Sequence, residues 1–580
     1  MRNSSSFSLA IPASSKSLLP LSLLLLVTGS CNRAPQRPFE VVAVLPFDNL
    51  GGGTGDGTSD ITGDVLATVA TARTEGDTKA RVFFARTLRE AQSLRATRTV
   101  TGWYEEAQGL LNVHGSVRDE ATGKAVNTFS KKGDLPSAAH SIAAATGAPV
   151  HEWPHPAGQA LRAYGEARRA VTQESGLQKV NEALTADPSF GSAHLLRIEL
   201  MLRMGARVEA QTALTQARES RLSEADRARL EVAAAQIEGS TTTQVKALSR
   251  LAALETANPQ TMRVLLDTQF ATRDFQGAAE TAKRALELVP DDEDLLNRRG
   301  YAYAFAGDFD SATKSFADYR QKVPQSANAV DSLGEVFFYF RKYKEAAGLF
   351  SEAHRMNPSI VGGLEPFRSA LSMQLAGQSD EADRQIQEFF AVRRKGGDPF
   401  VDTEEAIWSR IRRKPSSFPQ DAPGLATAAF VSLADGDRAT ALELALAARG
   451  KVKNPSENGL VSIALQLAQP SAPAEVWRDR IAKAVTNPAQ RDLRTELLGW
   501  ALLLDKKYPE AASIWGERFA STSPLVNNDG RILLVWSLVE AGKLDEARKV
   551  MPQGWLPPQS LQPGLGALFY PNIVDLRTKF

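Results

Sequence analysis

The stretch DDEDLLNRRGYAYAFAGDFDSATKSFADYRQKVP spans residues 291–324 and ends in a proline. The stretch that follows, QSANAVDSLGEVFFYFRKYKEAAGLFSEAHRMNP (325–358), has the same length and also ends in a proline. Because Pro290 precedes the first stretch, three prolines recur at equal intervals. The interval matches the period of about 34 residues that is typical of some arrays of paired helices.

Counting each proline as position 32 aligns residues of similar size. Position 20 is always alanine, and position 8 is glycine in the last two repeats. Small residues there let two helices approach closely, whereas bulky residues at positions 11 and 24 fill the space between neighbouring pairs. The aligned residues are Leu266, Gly300 and Gly334 at position 8, Gln269, Tyr303 and Phe337 at position 11, Ala278, Ala312 and Ala346 at position 20, and Ala282, Phe316 and Phe350 at position 24.

This pattern resembles the tetratricopeptide repeat, a pair of antiparallel helices. The resemblance covers most of residues 160–555, and its register is clearest in 259–358. Four prolines interrupt it at Pro399, Pro415, Pro419 and Pro423. The predicted fold class is mainly α, a tetratricopeptide-type helical solenoid preceded by a small α/β domain. We expect the solenoid in 161–395, an irregular connector that divides it in 396–424, degenerate helical repeats in 425–555, and a C-terminal cap or tail in 556–580.

The inner surface of the array is the predicted binding site. One helix pair cannot bury its apolar face alone, so neighbouring repeats stack into a curved solenoid. The resemblance implies that the first helices line the inner surface. Aromatic rings beside charges would suit a peptide or a partner helix there, and would equally suit packing between repeats. The predicted partner-binding groove comprises Arg263, Asp267, Phe270, Asn297, Tyr301, Phe305, Asp331, Glu335, Phe338 and Tyr339.

The start of the chain has the pattern of an export signal. Arg2 and Lys16 precede an apolar run at 18–28, which has the length of a signal-peptide core and is short for a membrane-spanning helix. The run ends in TGSC (28–31), which resembles a bacterial lipobox and implies lipidation of Cys31, the single cysteine of the chain. We therefore expect a signal peptide in 1–30 and a lipidated cysteine with a linker in 31–38. The body is then soluble, periplasmic and lipid-anchored to a membrane of the bacterial cell envelope. Simple secretion and a retained anchor are the alternatives.

Residues 39–148 alternate between strand-like and helix-like segments. Strands are predicted at 39–46, 81–84, 110–117 and 125–131, and helices at 60–71, 87–96 and 135–146. VAVLPFDNL (42–50), SDITGDVL (59–66) and NVHGSVRD (112–119) resemble the TolB amino-terminal-like domain. The resemblance implies a recognition or docking module without catalytic residues.

Two short segments resemble ligand-binding motifs in sequence but do not meet the structural requirements of those motifs. The glycine run GGGTGDG (51–57) does not complete G-x-G-x-x-G in any frame, and no P-loop lysine follows it. HEWPH (151–155) satisfies H-E-x-x-H, which needs an unbroken helix to place both histidines on one face. Pro154 and Pro156 break such a helix. We expect a proline-rich linker in 149–160, no metal and no cofactor.

The remaining features favour a binding protein over an enzyme. The formal net charge is +1, which gives no general attraction to nucleic acid. The basic runs 393–395 and 410–414 are interpreted as solvated helix faces, so nucleic acid is not an expected partner. No G-x-S-x-G, P-loop or kinase signature is present, and no catalytic residue is assigned. The leading hypothesis is a membrane-tethered adaptor for protein or peptide partners. The alternatives are an envelope hydrolase and a signalling sensor subunit, each with accessory repeats.

Replacing Cys31 with alanine tests the predicted anchor. Because acyl chains on this sulfur would supply the attachment, we expect Cys31→Ala to leave the membrane fraction. Fractionation of cells with immunoblotting measures the change, and Ser30→Ala, which keeps a small residue before the cysteine, is the control. Retention of full-length Cys31→Ala in membranes would contradict lipidation.

Overall fold

A computed structural model of the chain describes residues 40–51, 61–72, 74, 80–150, 158–220, 222, 224–256, 258–485, 491–521, 529–550, 575–576 and 579. The predicted signal peptide, Cys31, the HEWPH motif and most of the tail 556–580 lie outside these residues, so those assignments remain predictions. Every helix within the described ranges is too short or too polar to cross a bilayer.

A mixed sheet with three helices forms the first part of the described chain. Its strands are β1 (Glu40–Val44), β2 (Asp48–Asn49), β3 (Ala80–Phe84), β4 (Arg98–Ala107), β5 (Leu110–Asp119) and β6 (Ala125–Gly133). Its helices are α1 (Ile61–Ala72), α2 (Leu88–Ser93) and α3 (Leu135–Ala145). The strand order is β3-β1-β4-β5-β6, and β2 pairs with β4. β1 is parallel to β3 and β4, whereas β4, β5 and β6 form an antiparallel meander.

The sheet confirms the predicted strands and adds a central one. β4 lies between β1 and β5 in a segment for which the sequence predicted no element. Glycine in mid-strand weakens a strand pattern, and Gly102 interrupts this one. A Cβ at Gly102 would lie 2.1 Å from the backbone oxygen of His114, so the close approach of β4 and β5 requires glycine there. Gln108 and Gly109 join the two strands with φ of 54° and 75°, as in a type I′ hairpin turn.

Helices fill the rest of the described chain. They are α4 (Gly158–Arg169), α5 (Gln173–Ala186), α6 (Gly191–Arg203), α7 (Arg207–Ala217), α8 (Glu224–Glu238), α9 (Thr241–Leu254), α10 (Pro259–Thr272), α11 (Phe275–Leu288), α12 (Glu293–Ala306), α13 (Phe309–Lys322), α14 (Ala327–Tyr339) and α15 (Tyr343–Met356). After a 3₁₀ turn (Ile360–Gly363) come α16 (Glu365–Leu375), α17 (Ser379–Lys395), α18 (Val401–Ile411), α19 (Ala422–Ala434), α20 (Arg438–Arg449), α21 (Pro455–Leu467) and α22 (Ala474–Ala484). The last are α23 (Arg491–Leu504), α24 (Tyr508–Ser521), α25 (Asp529–Glu540) and α26 (Leu544–Val550). Successive helices pack as pairs along the chain, which confirms the predicted solenoid.

The turn inside each pair repeats more widely than the prolines do. Gly205, Gly239, Arg273, Gly307 and Arg341 follow one another at the same interval as the prolines, and each has a positive φ. A left-handed residue ends a helix and reverses the chain, a conformation that suits glycine. The register of the repeat therefore extends toward the N-terminus from the three repeats in which the sequence shows it clearly.

The predicted close approach between paired helices is confirmed. A Cβ at Gly300 on α12 would lie 2.3 Å from the ring of Phe316 on α13, and one at Gly334 on α14 would lie 2.8 Å from the ring of Phe350 on α15. Both phenylalanines are fully buried. The pair of positions 8 and 24 thus sets the distance between the helices of these repeats.

The predicted linker 149–160 does not separate two hydrophobic cores. One cluster of buried side chains runs from the sheet through α1 and α3 into α4, α5 and α6. A Cβ at Gly165 on α4 would lie 2.9 Å from Val65 on α1, so the helices touch closely. Pro154 and Pro156 indicated a break in the helical pattern. A break in the backbone pattern does not predict whether the segments before and after it pack against each other.

The predicted connector 396–424 is not irregular throughout, which corrects the expectation that it divides the solenoid. It contains α18, whose Trp408 is buried and donates from Nε1 to Asp383 on α17 at 2.9 Å. A single apolar cluster continues from α14 through α18 to α26. Pro399 precedes α18 and Pro415 and Pro419 follow it, whereas Pro423 lies in the first turn of α19.

Two glycine substitutions test the packing rule with opposite expected signs. Gly300→Ala places a methyl group against a buried ring, so we expect the free energy of unfolding to fall by about 1–3 kcal/mol. Gly348→Ala lies in α15, where a Cβ meets nothing within 4 Å. Better helix propensity should raise the free energy of unfolding by about 0.5–1 kcal/mol there. Urea unfolding measures both, and shifts of the same sign would contradict the rule.

Candidate functional site

The ten residues of the predicted groove lie on α10, α12 and α14, which are the first helices of three successive pairs. Their exposure divides them into two groups. Phe270, Asp331, Phe338 and Tyr339 are buried. The partly or fully exposed members are Arg263, Asp267, Asn297, Tyr301, Phe305 and Glu335. The second group is named the first-helix face below.

Ion pairs between neighbouring repeats use the charges of this face. Arg263 on α10 contacts Asp294 on α12 at 3.1 Å and also pairs with Asp292. Arg298 on α12 pairs in return with Asp267 on α10. The Asp267 side chain remains 59% exposed. These charges therefore join repeats, while Asp267 is still open to a partner.

Aromatic rings form a connected row across the same helices. Phe305 on α12 lies 5.4 Å from Phe275, 5.9 Å from Tyr301 and 5.9 Å from Tyr339 on α14, measured between ring centroids. The Tyr301 and Phe305 rings are stacked, and both are partly exposed. Ring contacts at these distances stabilise packing beyond the area that they bury. The row both links repeats and presents two rings to solvent.

A buried charge cluster lies beneath this row. Arg368 on α16 is 2% exposed and contacts Asp331 at 2.6 Å, Glu365 at 2.8 Å and also Glu335. The Tyr301 hydroxyl donates to Glu335 Oε2 at 2.6 Å. These five residues, the Arg368 cluster, join three successive repeats through α12, α14 and α16.

Burial and charge shift the pKa values within the Arg368 cluster. Burial raises the pKa of Asp331 well above its usual value, Arg368 opposes this rise, and Glu335 and Glu365 add to it. Burial also raises the pKa of Tyr301 well above that of an ordinary phenol, and the charge of Glu335 raises it further. Burial lowers the pKa of Arg368, but its three carboxylate neighbours raise it more, so the net shift is upward. One guanidinium faces three carboxyl groups, and protonation of Asp331 reduces the uncompensated negative charge.

Sequence reasoning missed Arg368 and Glu365. Glu365 occupies the register position of Asp331 one repeat later, so extending the register past Pro358 would have found it. Arg368 follows Gly334 by one repeat and occupies position 8, where the pattern predicts a small residue. Its guanidinium lies over the Phe350 ring at 4.5 Å from the centroid. The Phe350 ring therefore lies between Gly334 of its own repeat and Arg368 of the next repeat.

The two basic runs are engaged in ion pairs within the chain. Arg393 contacts Asp398 at 2.7 Å, and Arg394 contacts Asp402 at 2.9 Å. In the second run, Arg412 and Lys414 both contact Asp383, at 3.0 and 2.7 Å. Burial opposes the shift, but hydrogen bonds from Arg412, Lys414 and Trp408 lower the pKa of Asp383 to about 2. Within the described ranges, no group of three or more His, Cys, Asp or Glu side chains is arranged to hold a metal ion.

One family model and several solved structures are similar to parts of this chain. The family model of the tetratricopeptide repeat matches residues 264–327 and 297–359. YrrB, a TPR protein with an unusual peptide-binding site, is 16% identical with a TM-score of 0.27, over 31% of this chain and 94% of that chain. Naa15/Naa10 bound to HypK-THB is 12% identical with a TM-score of 0.33, over 68% of each chain. MamA 41-end from Desulfovibrio magneticus RS-1 is 15% identical with a TM-score of 0.25, over 30% of this chain and 97% of that chain. No curated protein matches.

The class that the fold defines is that of helical-repeat solenoid proteins. Within it, the pairs α10 to α15 are tetratricopeptide repeats, because the family model covers these helices. Repeats of this kind expose one helix of every pair along an extended surface, which favours a role in protein–protein interaction.

The raised pKa of Asp331 predicts a pH-dependent effect of Asp331→Asn. The pKa of an aspartate in the unfolded chain is about 3.9. When the pKa is higher in the folded state, the carboxyl group stabilises the fold fully below the unfolded-state pKa, and this stabilisation is lost as the pH rises through the folded-state pKa. Asparagine stays neutral, so Asp331→Asn should gain stability relative to the wild type as the pH rises above about 4. Urea unfolding across this pH range measures the difference.

Asp308→Asn is the control of opposite sign. Hydrogen bonds from the side chain and backbone of Ser311 lower the pKa of Asp308, which caps α13. Its stabilising effect is present above the unfolded pKa and is lost as the pH falls through the folded value. Asp308→Asn should therefore gain relative stability as the pH falls. Parallel pH profiles for the two variants would disprove the pKa assignment of Asp331.

Proposed function

We propose that this chain is a membrane-tethered adaptor of the bacterial cell envelope that binds protein partners through its tetratricopeptide repeats. The single observation that carries the proposal is the first-helix face of α10, α12 and α14. Its partly exposed rings and its charges lie within or directly beside the residues that the family model matches. The tether and the envelope location rest on the TGSC lipobox resemblance.

The first-helix face has the mixed chemistry of a peptide-binding surface. The stacked rings of Tyr301 and Phe305 supply apolar contact area. Asp267 supplies an accessible negative charge on the neighbouring repeat. Aromatic anchors beside a few polar groups are the common composition of protein interfaces.

The buried layer beneath this face supports binding by holding its shape. The Arg368 cluster fixes the Tyr301 hydroxyl from below, and the ion pairs between α10 and α12 fix the spacing of two repeats. A partner then meets side chains that are already in place, which reduces the entropy lost on binding. The proposal therefore uses the exposed residues for contact and the buried ones for support.

Reversing one charge and removing one ring tests the proposal. The variant Asp267→Lys/Phe305→Ala changes two members of the first-helix face and leaves the Arg368 cluster intact. The matched control is Asp310→Lys/Phe309→Ala, which makes the same chemical changes on the second helix α13. Affinity purification from native membranes with mass spectrometry compares both with the wild type, and thermal unfolding confirms that all three are folded.

We expect specific proteins to co-purify with the wild type and the control and to be reduced at least about tenfold in the face variant, which corresponds to about 1.4 kcal/mol of binding energy. Equal recovery from a folded face variant would place the binding surface elsewhere. A wild-type protein without specific partners would overturn the adaptor proposal.

A further inference from the structure

A cavity of about 350 Å³ lies between the sheet domain and the first helix of the solenoid. It is bounded by α1, β3, the start of α2 and the end of α4. The lining residues are Thr68, Thr71, Val82, Phe83, Phe84, Arg86, Glu90, Arg168 and Arg169. This volume is at the lower end of the range of about 300–1,000 Å³ that small-molecule sites occupy. Neither the adaptor proposal nor the first-helix face involves this cavity.

Arginine predominates among the charged residues that line the cavity. Of the described lining residues, three are arginines and one, Glu90, is acidic. Arg169 also pairs with Asp64 on α1, and burial lowers the pKa of its guanidinium. Within the described chain, Nε of Arg169 is buried and lacks a hydrogen-bond partner. A desolvated guanidinium with an unused N–H group is stabilised by an additional anion.

A buried hydroxyl is the second, independent sign of a ligand. Thr68 is 3% exposed, and its Oγ1 is buried without a hydrogen-bond partner among the described residues. Its neighbour Thr71 instead donates from Oγ1 to the Thr68 backbone oxygen at 2.8 Å. A buried polar atom without a partner costs free energy unless a ligand or water completes its hydrogen bond. Thr68 belongs to the lining of the same cavity as the three arginines.

The lining also includes apolar residues of β3, namely Val82, Phe83 and Phe84. Val82 and Phe84 share the face of the strand that packs against the core with α1, whereas Phe83 lies on the other face, 5.2 Å from the guanidinium of Arg81. Small-molecule sites combine apolar walls with a few convergent polar groups. We propose that this cavity binds a small organic anion, in which a carboxylate or phosphate ester meets the arginines and Thr68 while an apolar group packs on β3.

The position of the cavity gives the anion contacts with two parts of the chain. Thr68 and β3 belong to the sheet domain, whereas Arg168 and Arg169 end the first solenoid helix α4. A bound anion would therefore add contacts between the sheet domain and α4, which already share one apolar core. Any ligand that binds only the folded state stabilises that state.

Isothermal titration of the purified full chain tests the proposal with three probes of similar size. Benzoate represents the carboxylate source, phenyl phosphate the phosphate-ester source, and benzyl alcohol the neutral control. We expect saturable binding of at least one anion at millimolar concentration or below, with heat from benzyl alcohol indistinguishable from dilution. The stronger of the two anions identifies the source.

Two substitutions assign any binding to the cavity. Thr68→Val removes an unpaired hydroxyl, so the thermal unfolding midpoint should stay constant or rise while anion affinity falls about tenfold, as for one lost charge-assisted hydrogen bond. Arg86→Gln should weaken binding to a similar extent. The control Arg89→Gln removes an exposed arginine on α2 outside the cavity and should leave the affinity unchanged.

Absence of anion binding at millimolar concentration would overturn the proposal. Binding that Thr68→Val and Arg86→Gln leave unchanged would also overturn it, because the anion would then occupy another surface. Equal affinity for benzyl alcohol would show an apolar site without anion recognition and would equally contradict the assignment.

Discussion

The distance between the two helices of a repeat is the constraint on which the rest of this array depends. On α12 and α14 it is set by glycines, since a Cβ at Gly300 or Gly334 would meet the ring of Phe316 or Phe350. These buried rings then fill the space that the close approach leaves. Once the spacing within pairs is fixed, the first helices line up at regular intervals. The ion pairs, the aromatic row and the Arg368 cluster all connect first helices, so each depends on that spacing.

The sequence predicts this architecture because its periodic positions report local contacts. Position 8 is small where position 24 is a ring in two successive repeats, and position 20 is alanine in three. Features without such a signal were missed. β4 contains Gly102, which breaks a strand pattern but is required by the close approach of β5. α18 was also missed, because the prolines around 396–424 indicated a break in the helical pattern. Prolines indicate where a helix ends but not which helices pack together.

The sequence predicted that the ten candidate residues share the first helices, but not which of them are buried. Register assigns the side of the helix on which a residue lies, and the ten predicted residues do share the first helices. Whether the next repeat covers a residue depends on its neighbours, and Asp331, Phe338 and Tyr339 are covered. Arg368 contacts Asp331 directly, and it occupies a position where the repeat favours a small residue. Exposed Asp267 and buried Asp331 both belong to the predicted groove, which shows that position on a first helix alone does not decide whether a residue is accessible.

The Arg368 cluster also affects how this array comes apart. In a simple solenoid each repeat touches only its neighbours, so a chain can fray one repeat at a time from either end. Here a hydroxyl on α12, two carboxylates on α14 and the guanidinium of α16 share one network. Loss of α16 would remove the guanidinium that both carboxylates on α14 contact. Opening of α16 is therefore coupled to the order of Tyr301 on α12 and Glu335 on α14, and the part of the first-helix face that these two residues form depends on a helix outside it.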